Sequence, residues 1–199
     1  MTTRKPTEQR RKEIVDAALE ILGERGLREF TAAQLASAVG IKDGTIFRHF
    51  KDMSEIVRAV LDRIEELSPV ASSSTGDPLA RLEEFVLSRL RSIAVRPGIQ
   101  SLLFSDQLSQ ALGAEGPVRV AALRNRGRQF IRSCLHEAAE QGRLREDVDL
   151  EGAVLLVTGM VMGFLFAAKD NALPVPAEEM ERRCWQTLRL ALARPPVQS

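Results

Sequence analysis

Apolar residues recur along this chain at helical spacing. Between Thr7 and Gly23, Ile14, Ala17, Ala18, Ile21 and Leu22 follow the i, i+3, i+4, i+7, i+8 stripe of one helix face, and the opposite face is charged. Gly23 and Gly26 end that helix, and Leu27 and Phe30 follow as apolar anchors. Thr31 can then cap a short helix carrying Leu35, Ala36 and Val39, which Gly40 stops. Ile41 reads as a buried turn residue, and a second short helix starting at or just before Asp43 carries Ile46, Phe47 and Phe50. Asp52 and Glu55 have capping-box spacing and open a fourth helix with Ile56, Val57, Val60, Leu61, Ile64 and Leu67 inward.

The stretch from Pro69 to Pro78 is rich in Ser, Gly and Pro and reads as a joint. Beyond it the pattern predicts a fifth helix over 78–94, a sixth from about Ile99 to Leu112 and a long seventh from about Val118 to Gln141. An eighth begins near Leu150, and a ninth spans about Ala177 to Ala193. No strand pattern and no repeat is present. The expected fold is all-α with about nine helices. An N-terminal domain over 7–67, with a helix-turn-helix at about 31–50, is joined through the fourth helix to a C-terminal domain over 78–193.

Gly152 to Ala168 holds 17 residues of which Thr158 alone is polar. A membrane span needs about 20 apolar residues. This run is shorter and is flanked by Asp147, Asp149, Glu151, Lys169 and Asp170. A helix apolar on every side in a water-soluble chain is covered on every side, which predicts its own domain against one face and a partner against the other.

Composition changes this picture little. Apolar residues make up 44% and charged residues 28%, values ordinary for a soluble domain, and the net charge is +1. A nucleic-acid role must therefore rest on local charge. Residues 1–60 hold eleven basic and nine acidic side chains, so the local excess is also small, although five of the basic ones precede Glu13. Cys134 and Cys184 form neither a disulfide framework nor a zinc set and read as buried thiols in a reducing compartment. The first residues have no apolar segment of a secretory leader, which predicts a cytoplasmic location.

The chemistry concentrates between Thr31 and Lys51. Two short helices crossing at a glycine-containing turn, with polar side chains on the second, describe a DNA-binding helix-turn-helix. Lys42 and Arg48 can reach phosphate oxygens or a guanine edge, and Gly44 lets the backbone approach a phosphate. Thr45 offers a hydroxyl or a methyl, Phe47 packs on sugar or a thymine methyl, and His49 can donate to a phosphate. Asp43 stands at the helix start, and Thr31 and Lys51 flank the unit as backbone contacts. Arg4 and Lys5 can follow the minor groove or a phosphate track, or belong to a free tail. Taken singly, each of these could equally be a solvated surface residue; together on one short helix they favour DNA.

The first 67 residues resemble the TetR/AcrR family of bacterial transcription repressors. The match rests on the Ile14 to Leu22 stripe, Gly26, Phe30-Thr31, Leu35-Ala36, Val39-Gly40-Ile41, Gly44-Thr45-Ile46-Phe47, Phe50 and Lys51. Lys42-Asp43 stands where members often carry Ser-Lys, and Phe47 where they carry tyrosine; these departures bear on which DNA sequence is read. The C-terminal part resembles the family by helix count and order only. The resemblance implies a dimeric repressor on a palindromic operator, released by a small apolar or amphipathic effector.

Candidate effector-binding residues are Phe85, Leu103, Phe104, Asp106, Leu108, Phe130, Cys134, Met160 and Phe164, all of which also fit a plain core. Candidate dimer residues are Leu156, Gly159, Gly163, Met180, Cys184, Leu188 and Ala191, with close packing inside the subunit as the competing reading of the glycines. The expected partners are double-stranded DNA, a second copy of the chain and a small effector, with no membrane. No catalytic set, metal site or cofactor motif is present, so an enzyme is not expected. The alternative is a DNA-binding regulator acting through a protein partner, or an architectural factor, without a small effector.

Overall fold

A computed structural model describes residues 7–67, 76–104 and 106–195. Arg4, Lys5 and most of the Pro69–Pro78 joint lie outside the described residues. The described residues form ten α-helices: α1 Thr7–Arg25, α2 Ala32–Val39, α3 Asp43–Ile46, α4 Met53–Leu67, α5 Pro78–Val95, α6 Pro97–Phe104, α7 Asp106–Ala111, α8 Gly116–Glu140, α9 Leu150–Lys169 and α10 Ala177–Leu192. The chain is all-α; among the described residues, β pairing is confined to one bridge between Leu144 and Ala193. The predicted sixth helix is met as α6 and α7 on either side of residue 105.

The caps follow from the sequence. Thr31 Oγ1 accepts from the Gln34 N–H at 3.3 Å. Gly40 takes a left-handed φ of 71°, which lets the Ile41 N–H return to the Ala36 carbonyl at 2.9 Å and closes α2. Asp52 Oδ1 accepts from the Glu55 N–H at 2.8 Å, and Glu55 Oε2 accepts from the Lys51 N–H at 2.6 Å. The side-chain half of the capping box thus falls one residue before the usual position. Asp77 and Asp149 cap α5 and α9 through the Leu79 and Gly152 N–H groups at 3.1 and 2.6 Å.

Two compact units result, and they do not follow the expected division at the joint. The first comprises Met1–Pro69 together with Gly98–Leu123; the second comprises Val70–Pro97 and Arg124–Ser199. In the first, Ile14, Ala18, Leu22, Leu35, Ile46, Phe50, Ile56, Val60 and Ile64 share one core with Ile99, Leu102, Leu103, Leu108 and Leu123. Polar ties reinforce it. Gln107 Oε1 accepts from the Leu27 N–H at 3.2 Å, and Arg119 Nη2 reaches Asp62 at 2.6 Å and Glu65 at 3.3 Å on α4. The fourth helix therefore belongs wholly to this unit; α8 is the helix that contributes residues to both.

In the second unit α5 packs on α9 and α10. Its core holds Leu82, Phe85, Val86, Leu90, Cys134, Leu135, Val157, Phe164, Leu165, Trp185 and Leu188. Arg81 is buried and donates to Glu137 at 2.5 Å, so its charge is paired where it is desolvated.

Candidate nucleic-acid interface

Ile46 and Phe50 are buried in the first core and pull one side of α3 and the turn after it inward. The intervening side chains are thereby turned outward. Lys42, Asp43, Gly44, Phe47 and Arg48 are exposed, and Thr45 and His49 are half-buried. α3 is a single turn, continued by Arg48 N–H to Thr45 O at 3.2 Å, His49 N–H to Ile46 O at 3.0 Å and Phe50 N–H to Ile46 O at 3.0 Å. A ring such as Phe47, 47% exposed with no burial to keep it there, is a surface feature available to a partner. Thr31 and Lys51 are exposed at either end of the unit, with the Thr31 hydroxyl engaged as the α2 cap.

His49 sits in a positive field. Its pKa is lowered, first by burial and then by Arg10, Arg11 and Arg48 nearby. Its Nδ1 is buried without a hydrogen-bond partner among the described residues. Arg10 and Arg11 were legible in the sequence only as part of a basic run. The structure brings both from α1 to the edge of the α3 turn.

The candidate effector residues are divided. Leu103 and Leu108 are core of the first unit, and Phe104 and Asp106 are exposed in it. Phe85, Phe130, Cys134, Met160 and Phe164 belong to the second unit, where the Phe85 and Phe130 rings meet tilted at 45° with centroids 4.9 Å apart. Cys134 is fully buried and its thiol pKa is raised by that burial. A groove of about 680 Å³ lies in the first unit between α1 and α4, lined by Arg11, Lys12, Phe50, Asp62, Arg63 and Glu66 among others.

Of the candidate dimer residues, Leu156, Gly159, Gly163 and Ala191 are exposed, and Met180 and Cys184 are half-buried. A Cβ added at Gly159 or Gly163 would meet open space among the described residues. Leu188 is the correction: at 3% exposure it packs in its own subunit's core and cannot face a partner. Leu155, Phe166 and Leu190, outside the candidate set, are exposed at 73%, 58% and 79%. An all-apolar run has no polar phase to tell its inner from its outer face. By length and composition α9 could cross a membrane, but such a helix also occurs as the core or interface helix of a soluble protein.

Comparison with known proteins decides the family. The profile of bacterial regulatory proteins, tetR family, matches residues 14–60, which contain α2, α3 and most of α1 and α4. The transcriptional regulator SrpR of Pseudomonas putida is 30% identical over 163 residues, 80% of this chain and 75% of that protein. The chain belongs to the TetR family. The transcriptional repressor KstR2 of Rhodococcus jostii is 27% identical over 146 residues, 71% of each chain. Among solved structures, the TetR family regulator PfmR of Thermus thermophilus matches 98% of this chain and 100% of its own, with a TM-score of 0.74 and 24% identity, a likeness of fold. The protein is a DNA-binding transcriptional regulator, as its membership implies, and not an enzyme.

Proposed function

We propose that the chain is a homodimeric, cytoplasmic repressor that reads a palindromic operator through Lys42, Gly44, Thr45, Phe47, Arg48 and His49, with Asp43 setting the helix start. Thr31 and Lys51, and Arg4 and Lys5 outside the described residues, hold the phosphate track. The observation carrying this reading is the outward set on α3 and its following turn, held there by buried Ile46 and Phe50. One copy of so short an element makes few contacts, so a dimer with half-sites about one turn apart is required for selectivity. The exposed apolar stripe of Leu155, Leu156, Gly159, Gly163 and Phe166 on α9, with Leu190 and Ala191 on α10, supports the dimer face.

The effector is apolar or amphipathic and binds in the second unit by Phe85, Phe130, Cys134, Met160 and Phe164. The Arg89 guanidinium, 5.1 Å from the Phe85 ring centroid, supplies a cationic end. Its binding acts only through different affinities for the DNA-competent and DNA-incompetent states. Arg119, which joins α8 to Asp62 on α4, supports α8 as the route to the DNA-binding helices. The complete burial of Cys134 and near-complete burial of Phe85 and Phe164 favours the second reading, a regulator that answers to a protein partner.

Fluorescence anisotropy on a palindromic duplex tests the DNA contacts. A Thr45→Ala, Arg48→Ala double variant that binds as tightly as the parent removes the assignment. A thermal-shift screen separates the effector reading from the protein-partner reading, because a ligand of the native state raises the unfolding midpoint.

A further inference from the structure

Arg11 leaves the face of α1 and ends at the turn between α3 and α4. Its Nη1 donates to the His49 carbonyl oxygen. Its Nη2 pairs with Glu55 Oε1 at 2.9 Å. The same guanidinium lies over the Phe50 ring, 4.1 Å from the centroid. Glu55 passes the constraint on, because its second oxygen accepts from the Lys51 N–H at 2.6 Å while Asp52 caps the Glu55 N–H at 2.8 Å. Arg11 thus touches, directly or through Glu55, three consecutive residues where the chain leaves the recognition turn: His49, Phe50 and Lys51.

The charge of Arg11 is already met by Glu55, which makes it a poor phosphate ligand. Its geometry is the useful property. A guanidinium presents donors in a planar fork and stacks on a ring at the same time; an ammonium is a point charge and does neither. Phe47 and Arg48 of the DNA-reading set directly precede the segment Arg11 holds, and His49 is its first residue. A displacement there moves those side chains relative to α1 and α4.

We propose that Arg11 is a positioning residue for DNA reading: with Glu55 it fixes the exit of the recognition turn, so that Thr45, Phe47 and Arg48 meet base edges in register, and it does not itself bind DNA. This rests on the DNA-contact assignment made above for α3. It makes Arg11 a determinant of specificity rather than of affinity in general.

The test uses the full-length protein and a duplex it enriches from a random-sequence library, with a scrambled duplex of equal composition as control. Anisotropy is measured on both across a salt series for Arg11→Lys, Arg11→Met and Glu55→Gln, at a temperature where circular dichroism finds each variant folded. The specific-to-scrambled affinity ratio should fall about tenfold in all three, the scale of one lost base contact. The salt slope of Arg11→Met on the scrambled duplex should stay at the parent value. Glu55→Gln is the sharpest arm. It removes a negative charge close to the DNA-facing turn, so plain electrostatics predicts tighter binding to both duplexes, whereas positioning predicts a lower ratio.

Full rescue by Arg11→Lys overturns the proposal. So does a parallel loss on both duplexes with a slope reduced by about 0.9 per contact, which marks a phosphate ligand. A lower unfolding midpoint with an unchanged ratio also overturns it, leaving Arg11 a purely structural residue. If Arg11→Met does not fold, Arg11→Lys and Glu55→Gln carry the measurement. Failure of the parent protein to enrich any sequence removes the DNA-contact assignment, and this proposal with it.

Discussion

A Cβ atom on Gly98 would stand 2.0 Å from the carbonyl oxygen of Gly23, so α1 and α6 meet backbone to backbone. Both glycines lie in the first unit, and this contact helps place Gly98–Leu123 there rather than with the rest of the C-terminal part. Ile99 continues the contact, with its Cγ1 3.0 Å from where a Gly23 Cβ would be.

Gly98→Ala should destabilise the protein by about 1–3 kcal/mol or more, because the obstructing atom is backbone and cannot swing aside. Gly159→Ala is the control. A Cβ added there would meet no atom of the described residues beyond its own helix backbone, and alanine is the better helix former by about 1 kcal/mol. Chemical denaturation should show opposite signs for the two in a background carrying Leu156→Arg and Leu190→Arg, which removes the proposed dimer contact. Equal effects would mean that α1 and α6 do not meet as described.

Leu188 and Leu190 separate the core from the proposed dimer face. Leu188→Ala removes a buried side chain and should lower unfolding stability by about 2–5 kcal/mol. A Leu156→Arg, Leu190→Arg double variant alters exposed positions, so its helix content should persist while its sedimentation changes from dimer to monomer. Retention of a parent-like dimer would place the interface on another face.

His49 predicts a loss of stability in mild acid. Burial first, then Arg10, Arg11 and Arg48, lower its pKa in the folded state. The unfolded chain therefore takes up the proton first as pH falls below about 6.5, and folding free energy declines until the lowered folded value is passed. His49→Gln should flatten that part of a plot of unfolding midpoint against pH. An unchanged slope would mean that the imidazole is free to protonate in the native protein.

Glu181 predicts the opposite sign. It is a buried carboxyl on α10 whose pKa is raised chiefly by burial, with Arg91 at 3.8 Å offsetting part of the effect. The folded state holds its proton longer, so stability is lost as pH rises from about 4.5 through the raised value. Glu181→Gln should be more stable than the parent at pH 7.5 and indistinguishable from it at pH 4. A variant less stable at pH 7.5 would show that the pairing with Arg91 outweighs desolvation.

Much of the DNA-binding unit was legible in the sequence because its signals are local. Thr31, Gly40 and Asp52 act within one or two turns, and the structure realises each cap where the pattern puts it. The buried face of α1 is offset from the Ile14 to Leu22 stripe, with Val15 and Leu19 in the core and Ala17 and Ile21 half-buried at its edge. The outward set on α3 followed from two buried residues at helical spacing, Ile46 and Phe50. The second unit was less legible. Leu188 lies on one stripe of α10 with Trp185 and Leu192, and Leu190 lies off it, but the spacing alone does not tell whether that stripe meets its own core or a partner.

The sequence by itself determined most of the helices, the caps at Thr31, Gly40 and Asp52, and the family, since each depends on residues close together along the chain or on a motif of fixed spacing. It did not place the end of α1, which runs through Gly23 to Arg25, or the division of the sixth helix into α6 and α7. Only the tertiary structure decided which distant segments share a core. It joined Gly98 to Gly23, Arg119 to Asp62 and Arg11 to Glu55 across separations that no local pattern encodes. Such pairs depend on how packed helices bring side chains together in three dimensions, and periodicity along one helix carries no record of what lies opposite it.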